Sequence, residues 1–221
     1  MNAPQKKIRV IVTGGPTRAY LDDVRYLSNV SSGKTAYEIC KLLSKEHFDV
    51  VAVVGPTLEP FENLNLKQLI PVETNQEMRK AVHSACKKYR PEFAIFSAAV
   101  LDFEPTIIQK KKVSSHQKKW TIHLKPAPKI IDEVRKKFPK IKIFGFKLES
   151  KKIRNKEKFV QSIIEKKNLL GLCFNYLEEV EKSRHVSYLT NSQGETKTGR
   201  TKKEIALWIA SQIRKVCYTK S

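Results

Sequence analysis

The sequence predicts an α/β fold: a Rossmann-like, doubly wound, mostly parallel sheet with a flexible flap and additional strands. Short apolar runs alternate with stretches of helical periodicity, which is typical of βαβ units. The first apolar run ends in two glycines, and a helix-like stretch follows. The 221 residues contain no Gly/Ser- or Pro-rich linker, and a chain of this length can bury a full α/β core. We therefore expect a single domain over residues 1–221.

Apolar runs predict the strands, and the periodic stretches between them predict the helices. The predicted strands are Ile8–Val12, Val50–Val54, Leu66–Ile70, Phe93–Ala98, Ile141–Phe146 and Leu170–Phe174. The predicted helices are Ser32–Lys45, Asn75–Tyr89, Ala127–Lys137, Lys156–Lys167 and Lys202–Val216. Thr74 followed by Glu77 predicts a capping box at the second helix, and Thr201 is the predicted N-cap of the last.

Three segments lie outside this alternation. Thr121–Leu124 and Val186–Leu189 look like strands that are available for a subunit interface. Between Asp102 and Thr121 the chain is polar and rich in lysine, which predicts a flexible flap. Because almost no apolar residue follows Ile108 in this stretch, we expect the flap to be ordered only when a ligand is bound.

Composition and charge restrict the class of protein. No apolar stretch approaches the ~20 residues of a membrane span, and the N-terminus lacks the apolar core of a signal peptide. The four cysteines show neither zinc spacing nor a disulfide framework. These features predict a cytoplasmic protein with no membrane partner. The chain has 43 Lys+Arg and 22 Asp+Glu, which gives a net charge of +21. This charge is explained either by solvated surface lysines or by a surface that steers anionic small molecules to the protein. Nucleic acid is not an expected partner, because no aromatic series is interleaved with the lysine runs.

Two segments at predicted strand ends could carry chemistry. Gly14 and Gly15 lead into a hydroxyl-rich loop, in which Thr17 could add a donor, and then into a helix N-terminus, an arrangement that suits a phosphate. Its spacing matches neither the dinucleotide fingerprint nor the phosphate loop, so an ordinary strand-to-helix turn remains the alternative. The stretch Ala98–Asp102 offers small residues for a nucleotide and an acid for a metal ion, with a solvated aspartate as the alternative. Both segments should meet at the carboxyl edge of the sheet.

The glycine loop also carries a resemblance to a known family. The first motif of phosphopantothenate–cysteine ligases reads I-T-A-G-P-T-R-E-P-x-D-P-V-R-Y-I-S-N-x-S-S-G-K and continues Met-Gly. We match to it Thr13, Gly15, Pro16, Thr17, Arg18, Asp23, Val24, Arg25, Tyr26, Ser28, Asn29, Ser31, Ser32, Gly33 and Lys34. The resemblance extends from about Ile8 to Ile213 and includes no flavin-binding half.

The resemblance implies a stand-alone ligase of coenzyme A biosynthesis. Its substrates would be 4′-phosphopantothenate, L-cysteine and a nucleoside triphosphate, either CTP or ATP. The reaction would pass through an acyl-nucleotidylate intermediate and would use Mg²⁺. The protein would be a homodimer, and the resemblance implies no FMN. A divergent member that binds a nucleotide without ligase activity is the alternative.

The resemblance also assigns residues. Asn29 would orient the reacting oxygen with support from Arg25, and Lys112 (or its neighbour Lys111) would be the flap lysine that neutralises the reacting phosphate. Nucleotide contacts fall on Gly15, Phe96, Ser97, Ala98, Asp102, Pro128, Lys129, Ile130, Ile131, Phe146 and Lys167, with Asp102 also the Mg²⁺ ligand. Phe146 could equally be a core residue. Lys129 stands where the family commonly has Asp, and Ile163 stands where it has a lysine.

Overall fold

The computed structural model describes residues 7–180 and 185–218, in which an open sheet is covered by helices on both faces. The strands are β1 (Arg9–Gly14), β2 (Arg18–Tyr20), β3 (Tyr26–Ser28), β4 (Asp49–Val54), β5 (Gln68–Pro71), β6 (Phe93–Phe96), β7 (Phe103–Pro105), β8 (Leu124–Pro126), β9 (Lys142–Glu149), β10 (Gly171–Tyr176), β11 (Ser187–Asn191) and β12 (Thr196–Gly199). The helices are α1 (Lys34–Lys45), α2 (Asn75–Tyr89), α3 (Ile130–Lys137), α4 (Lys156–Lys167) and α5 (Lys202–Tyr218).

The main sheet has eight strands in the order β12-β11-β10-β9-β6-β1-β4-β5. From β5 to β10 all neighbours are parallel, whereas β11 and β12 are antiparallel. The chain winds from β1 outward through β4 and β5, and then returns to β6 and continues the other way. The predicted doubly wound, mostly parallel fold is confirmed. Its topological switch point lies between β1 and β6, which is where such sheets bind ligands.

The two faces of the sheet have separate apolar cores. Val10 and Val12 of β1 pack with α1 and α5 on one face, whereas Ile11 packs with α2, α3 and α4 on the other. All three side chains are fully buried. A strand covered on both sides is apolar at consecutive positions, which explains why these strands appear as unbroken apolar runs in the sequence.

Several helix boundaries follow from local chemistry. The predicted capping box at α2 is confirmed: Glu77 N donates to Thr74 Oγ1 (3.2 Å), and Thr74 N donates to Glu77 Oε2 (3.2 Å). Thr201 accepts from Glu204 N (3.1 Å), which confirms it as the predicted N-cap of α5. Helix α3 begins at Ile130 rather than at Ala127, so Pro128 precedes the helix instead of lying in its first turn.

The segments outside the alternation differ from prediction. The strand expected at Val186–Leu189 exists as β11, but it lies inside the main sheet between β10 and β12. Of Thr121–Leu124 only Leu124 is in a strand, where β8 pairs with β7. Among the residues that the structure describes, none of the helices has the length and apolarity that a bilayer span requires.

Candidate functional site

The two sequence segments expected to meet do so at the switch point. Pro16, after β1, forms an isolated parallel bridge with Ala99, after β6, and Ala99 N donates to Gly15 O (2.9 Å). The glycine loop and the 98–102 loop therefore run side by side beyond the sheet, as predicted.

A third loop packs against this pair through glycine. Gly15 has φ of 71°, and a Cβ there would lie 2.7 Å from Gly55 O. A Cβ on Gly55 would lie only 1.7 Å from Pro16 O. Gly55 follows β4 and was not among the predicted site residues, since a single glycine in a loop carries no distinguishing signal in the sequence. These backbones approach so closely that only glycine fits at either position.

Buried hydrogen bonds lock the same loops to α2. Thr17 Oγ1 lies 2.5 Å from Asn75 Oδ1 and accepts from Leu101 N (3.1 Å). Asn75 Nδ2 in turn donates to Leu101 O (2.9 Å). Thr17 is fully buried, so its expected role as a phosphate donor is wrong: its hydroxyl holds the loops together instead. Asn75 was predicted only as the start of a helix, because its partners are distant in the sequence.

Asn29 lies over the junction of these loops. Its Nδ2 donates to the carbonyl oxygens of Ala99 and Val100, both at 3.2 Å. Asn29 is exposed, so its amide is accessible to a ligand while these bonds fix its position. The structure therefore brings Asn29 together with Gly15 and the 96–102 segment.

Helix α1 has no side-chain cap at its N-cap residue, and its first N–H group, that of Lys34, makes only a long hydrogen bond to Ser32 Oγ (3.4 Å). Its N-cap is Gly33, whose φ of 75° is left-handed, so the helix begins at Lys34 and not at Ser32. Uncapped N–H groups and the positive end of the helix dipole attract anions. The charge of Lys34 also reaches Lys202 at the start of α5. Burial first, and then this neighbouring charge, lower the pKa of Lys202. The carboxylates of Glu59 and Glu38 act on Lys202 in the opposite direction, so acids partly balance the two ammonium groups.

Asp102 makes a different contact from the predicted one. Its carboxylate forms an ion pair with Lys129, the N-cap residue of α3, where the ligase family commonly has an acid. Both side chains are more than half exposed. Within residues 7–180 and 185–218 there is no group of three or more His, Cys, Asp or Glu residues that could hold a metal ion. Asp102 is thus not part of such a group within the described residues, and its carboxylate is already paired with a cation.

The remaining predicted nucleotide contacts lie around the start of α3. Lys167, at the end of α4, reaches Asp132 in the first turn of α3 (Nζ to Oδ1, 2.5 Å). Ile130 is buried, so only its backbone groups are free to contact a ligand, whereas Ile131 is partly buried against the same core. Phe146 is partly buried against the other core, as the core interpretation predicted, and a stacking role for it remains a prediction.

The predicted catalytic Arg25 is held by an acid that our motif alignment missed. Arg25 Nη2 donates to Asp22 Oδ2 (2.6 Å) and to Val113 O of the flap (2.7 Å). Asp22 is buried, whereas Asp23 is exposed. In the family motif the acid stands four residues after the arginine, and Asp22 stands four residues after Arg18. The motif acid is thus Asp22, not Asp23. Lys111 and Lys112 are both exposed on the flap.

Comparisons with known proteins agree with this geometry. Residues 5–217 match the family model of the DNA/pantothenate metabolism flavoprotein C-terminal domain. The chain is 34% identical over 142 residues to the coenzyme A biosynthesis bifunctional protein CoaBC of Thermococcus kodakarensis, a match that covers 64% of this chain. The chain spans only about a third (34%) of the length of that relative.

Two solved structures share the fold. The C-terminal domain of a coenzyme A biosynthesis bifunctional protein CoaBC superimposes with a TM-score of 0.77 at 27% identity and covers 95% of both chains. The DNA/pantothenate metabolism flavoprotein of Streptococcus pneumoniae gives a TM-score of 0.82 at 21% identity, covering 94% of this chain and 98% of that one. From the family match over nearly the whole length, the chain belongs to the DNA/pantothenate metabolism flavoprotein C-terminal domain family.

Proposed function

We propose that the protein is a phosphopantothenate–cysteine ligase. The observation that carries the proposal is the contact of Asn29 with the backbone of Ala99 and Val100, since it joins two motif matches, 70 residues apart, at the ligand-binding edge of the sheet. The similarity to coenzyme A biosynthesis proteins supports the same activity.

The proposed reaction has two steps. The carboxylate of 4′-phosphopantothenate attacks the α-phosphate of the nucleotide, and pyrophosphate leaves. The amine of L-cysteine then attacks the acyl carbon of this nucleotidylate, the nucleoside monophosphate leaves, and the amine loses a proton. No electron is transferred, so the reaction requires no flavin.

The residues have distinct roles in this proposal. The uncapped N-terminus of α1, with Lys34 and Lys202 beside it, binds the phosphates. Asn29 orients the reacting oxygen with its amide, which the loop carbonyls hold in place. Lys112 comes from the flap and neutralises charge that develops on the reacting phosphate.

Mg²⁺ enters this proposal with the nucleotide. Mg²⁺ is commonly held by one or two carboxylates together with substrate phosphates and water. Asp102, in the 98–102 loop, could supply such a carboxylate, provided that Lys129 releases it. The ion would neutralise phosphate charge.

A coupled assay tests the function. The protein is incubated with 4′-phosphopantothenate, L-cysteine, Mg²⁺ and either CTP or ATP, while pyrophosphate is measured and the amide product is identified by mass. We expect pyrophosphate release that requires phosphopantothenate, and product that requires all substrates. Asn29→Asp serves as the inactive control. No product with either nucleotide would refute the proposal.

Two departures from the family favour the alternative, a nucleotide-binding protein without ligase activity. Lys129 pairs with the carboxylate of Asp102, and Ile163 replaces a family lysine. Under this alternative, calorimetry would detect nucleotide binding while the assay detects no pyrophosphate. In that case Lys129→Asp, which restores the acid that the family commonly has at this position, should make pyrophosphate release detectable.

We also propose a symmetric homodimer. Exposed apolar side chains cluster in sequence on the β2–β3 hairpin and its flanks, and on the arm formed by β7, β8 and the flap; they are Val24, Tyr26, Val30, Phe103, Ile107, Ile108, Ile122 and Leu124. Large exposed apolar surface commonly marks an interface. Light scattering at assay concentration should give twice the chain mass, and a monomer mass with full activity would contradict this assembly.

A further inference from the structure

Asp22 is an almost fully buried carboxylate at the base of the flap. Its side chain is 1% exposed, and both oxygens are used. Oδ1 accepts from the backbone N–H groups of Val24 (3.0 Å) and Arg25 (2.8 Å). Oδ2 accepts from Arg25 Nε (2.9 Å), from Arg25 Nη2 (2.6 Å) and from Val113 N (3.1 Å). Charged hydrogen bonds of this kind are about twice as strong as neutral ones.

These bonds also keep Asp22 ionised. Burial alone would raise the pKa of its carboxyl, but the hydrogen bonds from Arg25 and from the N–H groups of Val24, Val113 and Arg25 outweigh burial. They hold the pKa far below its usual range. The negative charge at this point is therefore permanent at the pH of any assay.

The same cluster binds both backbone polar groups of Val113 in the flap. Val113 N donates to Asp22, and Val113 O accepts from Arg25 Nη2 (2.7 Å). The guanidinium carbon of Arg25 lies 4.5 Å from the centre of the Trp120 ring. On the other side, Gln109 N donates to Leu21 O (2.9 Å). The segment that carries the lysines is thus fastened at Gln109 and at Val113 by bonds within the protein, whereas the sequence predicted a flap that is ordered only when a ligand is bound.

We propose that Asp22 is a positioning residue, which sets the register of the flap by binding Val113 and orienting Arg25. Lys112 is the residue before Val113, so its Cα lies about 3.8 Å from the anchored one. The link to catalysis rests on the function proposed above, whereas the anchor itself does not. Asp22 would thereby couple the Asn29 loop to the lysine that closes on the substrate.

Asp22→Asn tests the anchor, with Asp23→Asn as the matched control. The amide has nearly the same size, but it removes the charge and places an NH₂ group among donors that need an acceptor. Asp23 is exposed and adjacent, so its variant makes the same change in charge without touching the anchor.

Limited trypsin digestion gives a readout that does not depend on activity. Sites after Lys110, Lys111 and Lys112 lie inside the fastened segment, whereas those after Lys118 and Lys119 lie beyond Val113. In Asp22→Asn we expect the rate of cleavage at the first group, relative to that of the wild-type protein, to rise about tenfold or more, because charged hydrogen bonds are lost. Asp23→Asn should give the wild-type pattern. Cleavage at the wild-type rate in a folded Asp22→Asn would overturn the proposal.

A measurement on the wild-type protein covers the case in which Asp22→Asn does not fold. Hydrogen exchange should show the Val113 amide protected in the ligand-free protein, and exchange at the rate of an open peptide would refute the anchor. Kinetics then test its consequence. Asp22→Asn should lower kcat with little change in the KM for nucleotide. Its effect should also be less than multiplicative with Lys112→Gln, because the two act on one segment.

The outcomes separate this proposal from the function. If the wild-type protein makes no product, the function fails while proteolysis and exchange still decide the anchor. If product forms and Asp22→Asn retains the wild-type kcat, the positioning role fails and the ligase activity stands.

Discussion

The contact between Gly14 and Ala36 allows only one methyl group. A Cβ built on Gly14 would lie 2.4 Å from Ala36 Cβ, whereas carbon atoms pack at about 3.5–4.0 Å. Ala36 belongs to α1, which lies on β1, so a second methyl would force the helix away from the sheet. The ligase motif has alanine at position 14 and glycine at position 36, the reverse of this chain. The two differences from the motif, at positions 14 and 36, therefore move one methyl group from one side of this contact to the other.

This exchange predicts a specific pattern of stabilities. Gly14→Ala alone overpacks the contact and should cost about 1–3 kcal/mol. Ala36→Gly alone should cost about 2 kcal/mol, from helix propensity and one lost buried methyl. In the double variant the new methyl fills the space that the old one left. We expect it to be more stable than the sum of the single effects predicts, by roughly 1–3 kcal/mol.

Urea unfolding of the four proteins measures this coupling directly. A control cycle combines Gly14→Ala with Ala81→Gly, because Ala81 lies in α2 on the opposite face of the sheet. The control changes should be additive to within about 0.5 kcal/mol. If Gly14→Ala and Ala36→Gly are additive as well, the steric reasoning is wrong and Ala36 is merely tolerated.

Three further predictions concern the site and its surroundings. Lys112→Gln should reduce turnover much more than nucleotide affinity, because the charge of Lys112 matters most as the transition state forms. Steady-state kinetics measure both effects. If Lys112→Gln is active and Lys111→Gln is inactive, the flap lysine is Lys111. Asn29→Asp should lose product while the protein still folds, since a carboxylate cannot donate to the carbonyls of Ala99 and Val100. Wild-type turnover would remove Asn29 from the catalytic residues. Burial and the charge of Lys202 lower the pKa of His185 to about 4. Because the unfolded chain then binds a proton that the folded protein does not, the free energy of unfolding should decrease as the pH is lowered from about 6.5 towards 4, by roughly 1–2 kcal/mol between pH 7 and 5. Urea titrations of His185→Gln should lack this decrease.

The parallel strands and the helices were predictable because each has a strong local signal. Strands buried on both faces are unbroken apolar runs, and α2 and α4 begin and end where periodicity and caps place them. Strand β12 was missed because its residues Thr196–Gly199 are mostly exposed and contain no apolar run. The β2–β3 hairpin was missed because three-residue strands have too little pattern.

The chemistry-bearing loops were predictable, but the contacts that support them were not. The glycine loop, Asn29 and the 98–102 segment have the residue types and spacing that a phosphate site requires. Gly55 and Asn75 contact partners far along the chain, and nothing local marks their roles. Asp22 has the motif spacing, but its bond to Val113, 91 residues away, has no local signal. Lys129 shows why a family motif cannot be carried over completely. The family commonly has an acid at this position, and the sequence does not reveal that the lysine found here pairs with Asp102.

Burial separates the residues of the first motif into two roles. Thr17 and Asp22 are closed off from solvent, and every polar atom of their side chains has a partner inside the protein. Breaking one such buried bond costs about 1–3 kcal/mol, which is enough to release a loop without unfolding the sheet. Asn29 and Lys112 are exposed and can reach a substrate. Residues of both kinds match the family motifs equally well by sequence. The buried residues hold the three loops and the flap in one arrangement, and the exposed residues contact the substrate. Variants of the buried residues should therefore alter turnover by displacing the loops, whereas variants of the exposed residues should alter it by removing a group that acts on the substrate.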